Sequence, residues 1–276
     1  MSPGLAFLRV ATVALVAGCG AGSGAPGAGH DITIITSDFH FDAPDTVPAG
    51  LTRIRMLNQG PSYHHIQIVR LADSMPAARA LQQLPAAEPL PEWMMPVGGV
   101  EGPDSLEQEV IVSLVFTPGQ YLLLCRITAE DGTLHLNLGM ARPLTVVPDG
   151  GTAVRELPEA DAIVTLQDFS FEVSGPIRAG HRRIRVENRG PSEHHLAVAR
   201  LDSGATLRDV LEEKPDGPWP ALVVGGTAGQ APGVSNLLEL DLAAGEYALL
   251  CFVDDPVRGM VHSEMGMARQ ITILPD

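Results

Sequence analysis

Positive charge is scarce in this sequence. Lysine is nearly absent, and 18 lysines and arginines stand against 33 aspartates and glutamates, so the 276 residues have a formal net charge of −15. A protein that binds nucleic acid needs a basic surface to neutralise phosphates. The composition therefore argues against a nucleic-acid partner.

The apolar run near the N-terminus is too short to span a bilayer. It reads VATVALVAG at 10–18, follows Arg9, and is closed directly by Cys19. An apolar run that ends in small residues and a cysteine resembles a bacterial lipoprotein signal, which implies cleavage before Cys19 and a lipid on its thiol. We expect residues 1–18 to be a signal peptide and 19–29 a flexible tether. The mature protein would be an exported, membrane-anchored lipoprotein on the periplasmic or cell-surface side. The alternative is an ordinary secretory signal with a chance cysteine.

Cysteine is also scarce, with three residues in the chain. If Cys19 carries the lipid, Cys125 and Cys251 are left. An exported protein lies in an oxidising compartment that permits disulfides. These two thiols, however, occupy equivalent strand positions in two repeats, and a bond would require two separate cores to touch. We therefore expect each to be a metal ligand or an inert buried thiol.

Glycine and proline are abundant by contrast, with 29 and 23 residues, and they predict many turns and an all-β chain. An internal duplication indicates two domains at 30–148 and 160–276, joined by a linker at 149–159. The matching segments are TSDFHFDAP at 36–44 with LQDFSFEVS at 166–174, TRIRMLNQGPSYHHIQIVRL at 52–71 with RRIRVENRGPSEHHLAVARL at 182–201, and GMARPLTVVP at 139–148 with GMARQITILP at 266–275.

Each repeat alternates apolar and polar residues in short segments bounded by turn signals. Ile54 and Met56 point inward while Arg53 and Arg55 point outward, and the second copy repeats this pattern at 183–186. Short helices are expected around 76–84 and 205–213. The pattern predicts a β-sandwich in each repeat.

One stretch in each repeat contains cysteine, histidine and methionine, whose side chains are suitable ligands for a soft metal ion. At 117–140, Tyr121, Leu123 and Cys125 share one strand face, and His135 and Met140 follow. The second copy at 243–267 repeats this order, with the equivalent residues Tyr247, Leu249, Cys251, His262 and Met267. A thiol, an imidazole and a thioether at the end of a strand suit copper.

A further histidine in each repeat comes from a pair at the start of a strand. His64 shares a face with Ile66 and Ile68, and His194 shares a face with Leu196 and Val198. Strand parity therefore directs His64 and His194 toward the core. Their neighbours His65 and His195 have the opposite parity, and we expect them at the surface or on the opposite face.

Three motifs together resemble the cupredoxins, the blue copper family. They are N-x-G-x-x-x-H before a strand, G-x-Y-x-x-x-C along a strand, and H-x-x-x-G-M after it. The resemblance covers nearly all of both repeats and implies tandem Greek-key β-sandwiches with copper at one end. The metal ligands that it implies are His64, Cys125, His135 and Met140, and His194, Cys251, His262 and Met267.

One feature departs from the family pattern. In typical cupredoxins only a few residues separate the cysteine from the second histidine, whereas nine separate Cys125 from His135 and ten separate Cys251 from His262. The extra residues are polar and turn-like. They either form a small hairpin that returns the histidine to the site, or leave a site that no longer closes on a metal.

These observations leave three functions open. The first is an electron carrier or copper-handling protein, whose acidic surface favours a basic redox partner. The second is a metal-free binding or assembly module tethered to the membrane. The third, an oxidase or nitrite reductase, is disfavoured: in such families a histidine adjoins the ligand cysteine, whereas Arg126 and Phe252 follow the cysteines here and no His-x-His pair occurs. No hydrolase nucleophile elbow or phosphate-binding loop is found either, so we do not expect an enzyme.

Overall fold

The computed structural model describes residues 29–85, 89–106, 108–151, 153–212 and 218–276. The predicted signal peptide, Cys19 and most of the predicted tether lie outside this range. Within it, no helix has both the length and the apolar character needed to cross a membrane.

The first half of the chain consists mainly of strands. They are β1 (His30–Ser37), β2 (His40–Asp42), β3 (Thr46–Pro48), β4 (Gly50–Asn58), β5 (Ile66–Leu71), β6 (Met94–Glu101), β7 (Val110–Phe116), β8 (Gly119–Leu124) and β9 (Ala141–Val147). One short helix, α1 (Ala77–Leu81), follows β5, and a 3-10 turn covers His135–Leu138.

The second half repeats this order. Its strands are β10 (Ala162–Gln167), β11 (Ser170–Ser174), β12 (Gly180–Asn188), β13 (His194–Leu201), β14 (Ala221–Gln230), β15 (Ser235–Leu242), β16 (Gly245–Leu250), β17 (Asp254–Asp255), β18 (Met260–Val261) and β19 (Ala268–Ile273). Its helix, α2 (Leu207–Leu211), begins with a capping box in which Thr206 and Asp209 satisfy each other's backbone N–H groups. Both helices lie within the ranges expected for them.

Two large sheets run through both halves. One has the order β11-β10-β12-β15-β7-β4-β1-β2, and the other the order β19-β16-β13-β14-β6-β5-β8-β9-β3. Equivalent strands of the two repeats lie at mirrored places in each order, and the central pairs, β15 with β7 and β14 with β6, are antiparallel. The duplicated halves are therefore related by an approximate two-fold axis that passes between these pairs.

The halves are joined because each completes the other's edge. A strand at the edge of a sheet leaves backbone N–H and C=O groups unpaired, and here β7 and β15 pair from Ile111 to Ser113. A bidentate ion pair crosses the same junction, with Arg53 Nε 2.7 Å from Glu239 Oε1 and Arg53 Nη2 3.1 Å from Glu239 Oε2. Such planar, two-bond pairs are stronger than single-point ones.

The core confirms the predicted alternation and the all-β sandwich. Ile54, Met56, Ile184 and Val186 are buried, and the arginines between them lie on the other face. One continuous apolar core includes side chains of both halves, Cys125 and Cys251 among them. The premise of two separate cores was therefore wrong, because the central strand pairs fuse them. The two thiols are nonetheless both free.

The predicted linker packs against strands of both halves. Leu51 donates its backbone N–H to the Val154 carbonyl at 2.7 Å, and the Arg185 guanidinium donates to the carbonyls of Leu157 and Pro158. Gly50 has φ +111°, and a Cβ there would lie 2.4 Å from the Ala153 Cβ. A glycine is therefore needed where the linker crosses β4.

Candidate metal centres

In the first half, three side chains converge from three separate segments. His64 lies just before β5, Cys125 directly follows β8, and His135 opens the 3-10 turn. Their ligand atoms all lie within 4.8 Å of one another. His64 and Cys125 are fully buried and His135 is 4% exposed. Parity placed His64 correctly, because the strand face that carries Ile66 and Ile68 is the core face.

The distances between these atoms are close to those around one metal ion. His64 Nδ1 lies 3.2 Å from His135 Nδ1, and Cys125 Sγ lies 3.6 Å from His135 Nδ1 and 3.9 Å from His64 Nδ1. A metal with bonds of about 2.0–2.1 Å to nitrogen and about 2.3 Å to sulfur, at angles of about 100–120°, holds its nitrogens about 3.1–3.6 Å apart and each about 3.3–3.8 Å from the sulfur.

The second half repeats the arrangement with His194, Cys251 and His262. The two Nδ1 atoms are 3.0 Å apart, and Cys251 Sγ lies 3.6 Å from His262 Nδ1. All three side chains are buried, and their ligand atoms again lie within 4.8 Å of one another. Among the described residues, these two groups are the clusters of three or more histidine, cysteine or carboxylate donors at metal-binding separations.

The long segments between cysteine and histidine form the small hairpins that the sequence left open. In the first half, Thr128 and Leu134 form a β-bridge and His135 donates its N–H to the Ile127 carbonyl at 2.8 Å. In the second half, β17 pairs with β18, and His262 donates its N–H to Val253 at 2.9 Å. Each hairpin therefore returns its histidine to the cysteine.

The methionines are held at the clusters through their backbones. Met140 donates its N–H to the His135 carbonyl and accepts from the Cys125 N–H, each at 3.0 Å, and Met267 makes the same two bonds to His262 and Cys251. Both side chains are fully buried. The preceding glycines, Gly139 and Gly266, have φ of +116° and +108°, which side chains strongly disfavour, so the Gly-Met pair is required by this turn.

Two aspartates set the tautomers of the histidines that precede the strands. Asp38 Oδ1 lies 3.2 Å from His64 Nε2, and Asp168 Oδ1 lies 2.7 Å from His194 Nε2. A carboxylate accepts a hydrogen bond from Nε2–H, which keeps the ring proton on Nε2 and leaves the Nδ1 lone pair facing the cluster. Carboxylates in this position orient histidine ligands in metal sites generally.

Protonation of the imidazoles does not compete at neutral pH. Burial lowers the pKa of His64, His135, His194 and His262, so these rings are neutral. Within each cluster, the Nδ1 atoms of the two neutral rings lie at about hydrogen-bond distance from each other. For His64 and His194 the nitrogen that faces the cluster carries a lone pair.

The thiols respond to burial in the opposite direction. Burial raises the pKa of Cys125 and of Cys251 to about 12, although backbone N–H groups directed at each sulfur oppose the rise. For Cys251, the His195 N–H donates to Sγ at 3.4 Å. A metal ion deprotonates a coordinating thiol outright, so binding at these sites releases a proton.

Sequence reasoning missed the residues that support the ligands. Asp38 and Asp168 orient His64 and His194, and the rings of Phe39 and Phe169 each contact the second histidine edge-on, with centroids 5.0 Å apart. A signal for them existed, because the dipeptide Asp-Phe is repeated within the first pair of matching segments.

The expectation for the other histidine of each pair needs a correction. His65 and His195 do face away from the clusters, as parity predicted, but they are 9% and 7% exposed and lie at the junction of the two halves. His65 Nε2 accepts the Arg126 N–H at 2.8 Å, and His195 Nε2 accepts the Phe252 N–H at 2.7 Å. They are inside because each half covers the face that the other repeat alone would expose.

Both donor sets fit copper. Two imidazole nitrogens and a thiolate with a nearby thioether form the set that holds copper in type 1 sites. Zinc also binds cysteine and histidine, but its structural sites use four such ligands, and each cluster here has three.

No family model matches the sequence, and no curated protein matches it. Several solved structures are similar. A dithionite-reduced auracyanin from the photosynthetic bacterium Roseiflexus castenholzii is 15% identical over 41% of this chain and 95% of that chain, with a TM-score of 0.28. A copper-containing nitrite reductase from Thermus scotoductus is 15% identical over 90% of this chain and 62% of that chain, with a TM-score of 0.24.

A blue copper oxidase from Nitrosomonas europaea is 14% identical over 89% of this chain and 85% of that chain, again with a TM-score of 0.24. At these identities and scores, the chemistry of the two clusters has to be argued from this chain's own side chains.

Proposed function

We propose that this chain is an electron carrier with one type 1-like copper site in each of two cupredoxin-like halves. The observation that carries the proposal is the convergence of two imidazole nitrogens and one thiol sulfur in each half, where these atoms all lie within 4.8 Å of one another. An aspartate directs one Nδ1 lone pair in each cluster inward. In the metal-free protein the Nδ1–H of the second histidine can donate to this lone pair, whereas a bound cation would accept a lone pair from each nitrogen.

The framework around each cluster favours electron transfer over metal delivery. Each cysteine, second histidine and methionine is tied to the others by backbone hydrogen bonds, and every proposed ligand side chain is buried. Copper held in such a frame changes oxidation state with little movement of its ligands. Releasing copper to another protein would require opening a packed core, which is costly.

We propose no catalytic role, although similar structures include a nitrite reductase and an oxidase. A catalytic copper needs ligands of its own with an open coordination position. Among the described residues, the clusters with metal-binding separations are the two already assigned. Arg126 and Phe252, which follow the cysteines, supply no imidazole next to the thiolate.

Anchoring and partner choice complete the proposal. A lipid on Cys19 would hold the protein at the periplasmic or cell-surface side of a membrane through the Gly-rich tether. With a net charge of −15, the protein would attract a redox partner with a basic docking face.

The test is the visible spectrum and the copper content of the purified full chain after addition of Cu(II). We expect an intense thiolate-to-copper band and two coppers per chain. Cys125→Ser and Cys251→Ser should each remove one copper and part of the band, and the double variant should remove both. Cys19→Ser is the matched control, because it removes a thiol outside the clusters and should leave the spectrum unchanged. A colourless protein without stoichiometric copper would overturn the proposal and favour the metal-free binding module.

A further inference from the structure

A buried carboxylate lies between the two halves, away from both clusters. Glu101 ends β6, is 3% exposed, and accepts a hydrogen bond from the Tyr63 hydroxyl at Oε1. Its other oxygen, Oε2, is buried and makes no hydrogen bond. It faces one histidine of each half, with His65 Nδ1 at 3.5 Å and His195 Nδ1 at 4.0 Å.

Each of these histidines is in turn one hydrogen bond from a cysteine's neighbour. His65 Nε2 accepts the N–H of Arg126, which follows Cys125, and His195 Nε2 accepts the N–H of Phe252, which follows Cys251. A continuous chain of contacts therefore runs from Cys125 through His65, Glu101 and His195 to Cys251. Every step of this chain is a covalent bond or a hydrogen bond except two, which are the contacts from Glu101 Oε2 to His65 Nδ1 and to His195 Nδ1.

This group of three side chains is not arranged as a third metal site. A backbone N–H can only donate, so the Nε2 of each ring is an acceptor and the ring proton of the neutral imidazole lies on Nδ1. The nitrogens that face Glu101 are therefore donors. His64 and His194 have the reverse tautomer, because Asp38 and Asp168 accept hydrogen bonds from their Nε2–H groups and leave Nδ1 without a proton.

The junction is asymmetric, although the clusters are duplicated. Glu101 follows Gly98-Gly99-Val100, and the matching place after Gly225-Gly226-Thr227 is Ala228. Both copies kept the second histidine, yet one carboxylate serves both rings. Two carboxylates near the two-fold axis would repel each other at this depth. A second contact across the junction is equally asymmetric, since Arg126 pairs with Glu193.

We propose that the two copper sites exchange electrons within one chain through His65, Glu101 and His195. The inference rests on the proposed function. In each exchange one electron leaves one site and enters the other, so one site is oxidised as the other is reduced. No bond forms or breaks, and no proton is transferred. A chain that receives one electron at either copper site can then deliver it from the other site.

The experiment needs two sites that can be told apart. Met267→Leu removes the thioether that the second site would offer to copper, which would shift the potential and the visible band of copper held there. In this background, a pulse of reductant delivers fewer than one electron per chain. The absorbance of the two copper bands is then recorded over time. We expect an electron redistribution whose rate does not depend on protein concentration.

Variants at Glu101 test the route. Glu101→Ala introduces alanine, the residue at the matching position of the second copy, Ala228. It also enlarges the adjoining cavity of about 410 Å³, which the His65 and His195 rings line. We expect it to slow the redistribution by about tenfold or more, equivalent to roughly 1.4 kcal/mol on the barrier. Glu101→Gln keeps the bridging atoms and should restore most of the rate. Glu239→Gln, which weakens the Arg53–Glu239 ion pair across the same junction, should leave the rate unchanged.

The outcomes separate the two proposals. Absence of the thiolate band and of copper overturns the proposed function itself. Two filled sites whose redistribution depends on protein concentration overturn internal exchange. A concentration-independent rate that is the same in Glu101→Ala as in the parent overturns the route through Glu101.

Discussion

The two histidines of each His-His pair differ in which ring nitrogen carries the proton. His64 and His194 donate their Nε2–H groups to aspartates and present Nδ1 lone pairs to a cluster, whereas His65 and His195 accept hydrogen bonds from backbone N–H groups at Nε2. Adjacent and identical residues thus have different roles because strand parity directs them to different faces. Parity was legible in the sequence. The tautomers were not, since they depend on partners far away along the chain.

The aspartates lead to the first prediction. Asp38→Ala removes the acceptor that fixes the His64 tautomer, and losses of this kind cost about 10–100-fold in metal affinity. We expect a loss of that size at the first site, measured by competition with a copper chelator in the Cys251→Ser background. Asp42→Ala, an exposed aspartate on β2, is the control and should keep the parent affinity. An unchanged affinity in Asp38→Ala would show that packing alone orients His64.

The thiols lead to the second prediction. Because burial raises the pKa of Cys125 and Cys251 to about 12, both are protonated in the metal-free protein at neutral pH. Copper must displace that proton, so its affinity rises with pH, by about tenfold per unit while one proton leaves per site. This slope holds above about pH 6.5, where the imidazoles are already neutral. Below it the slope steepens as they protonate. Chelator competition from pH 6.5 to 9 measures it, and a flat profile would mean that copper binds without the thiolate.

At the scale of elements, the site depends on turns more than on strands. Alternation predicted the strands that carry the cysteines and the first histidines, because period two is a direct consequence of the pleat. The hairpins at 127–135 and 253–262 were left open, since their sequences are polar and turn-like without fixing a register. Backbone bonds from His135 to Ile127 and from His262 to Val253 supply that register.

The glycine before each methionine leads to the third prediction. Gly139 has φ +116°, so Gly139→Ala forces a side chain into a left-handed conformation at a cost of about 1–2 kcal/mol. The free energy of unfolding should fall by that amount, and the visible band of the first site should shift because Met140 moves. Gly132→Ala is the matched control: its φ is +84° and nothing lies within 4 Å of a Cβ there. It should cost similar stability in chemical denaturation without shifting the band.

At the scale of the whole molecule, the sequence predicted the duplication but not how the two copies pack together. Repeated motifs predicted two similar units, and nothing in them showed that β7 would pair with β15 or β6 with β14. Pairing between strand edges uses backbone groups, which every sequence has, so it leaves no periodic signal. The same junction buried His65 and His195, which a single repeat would have exposed.

The shared sheets and core lead to the last prediction, that the halves unfold together. Each half holds one tryptophan, Trp93 packed against an apolar cluster of the first and Trp219 bonded through Nε1 to the Val210 carbonyl of the second. Trp219→Phe leaves a fluorescent reporter of the first half, and Trp93→Phe leaves one of the second. In urea, without copper, both variants should change fluorescence at one common midpoint, and far-ultraviolet circular dichroism should give the same midpoint. The reason is that separating the halves would expose four strand edges and one continuous core. Two midpoints, each specific to one tryptophan, would show that the repeats fold as independent domains joined only at their edges. A shared midpoint would place the electron route proposed through Glu101 inside a single cooperative unit, where its geometry persists as long as the protein is folded.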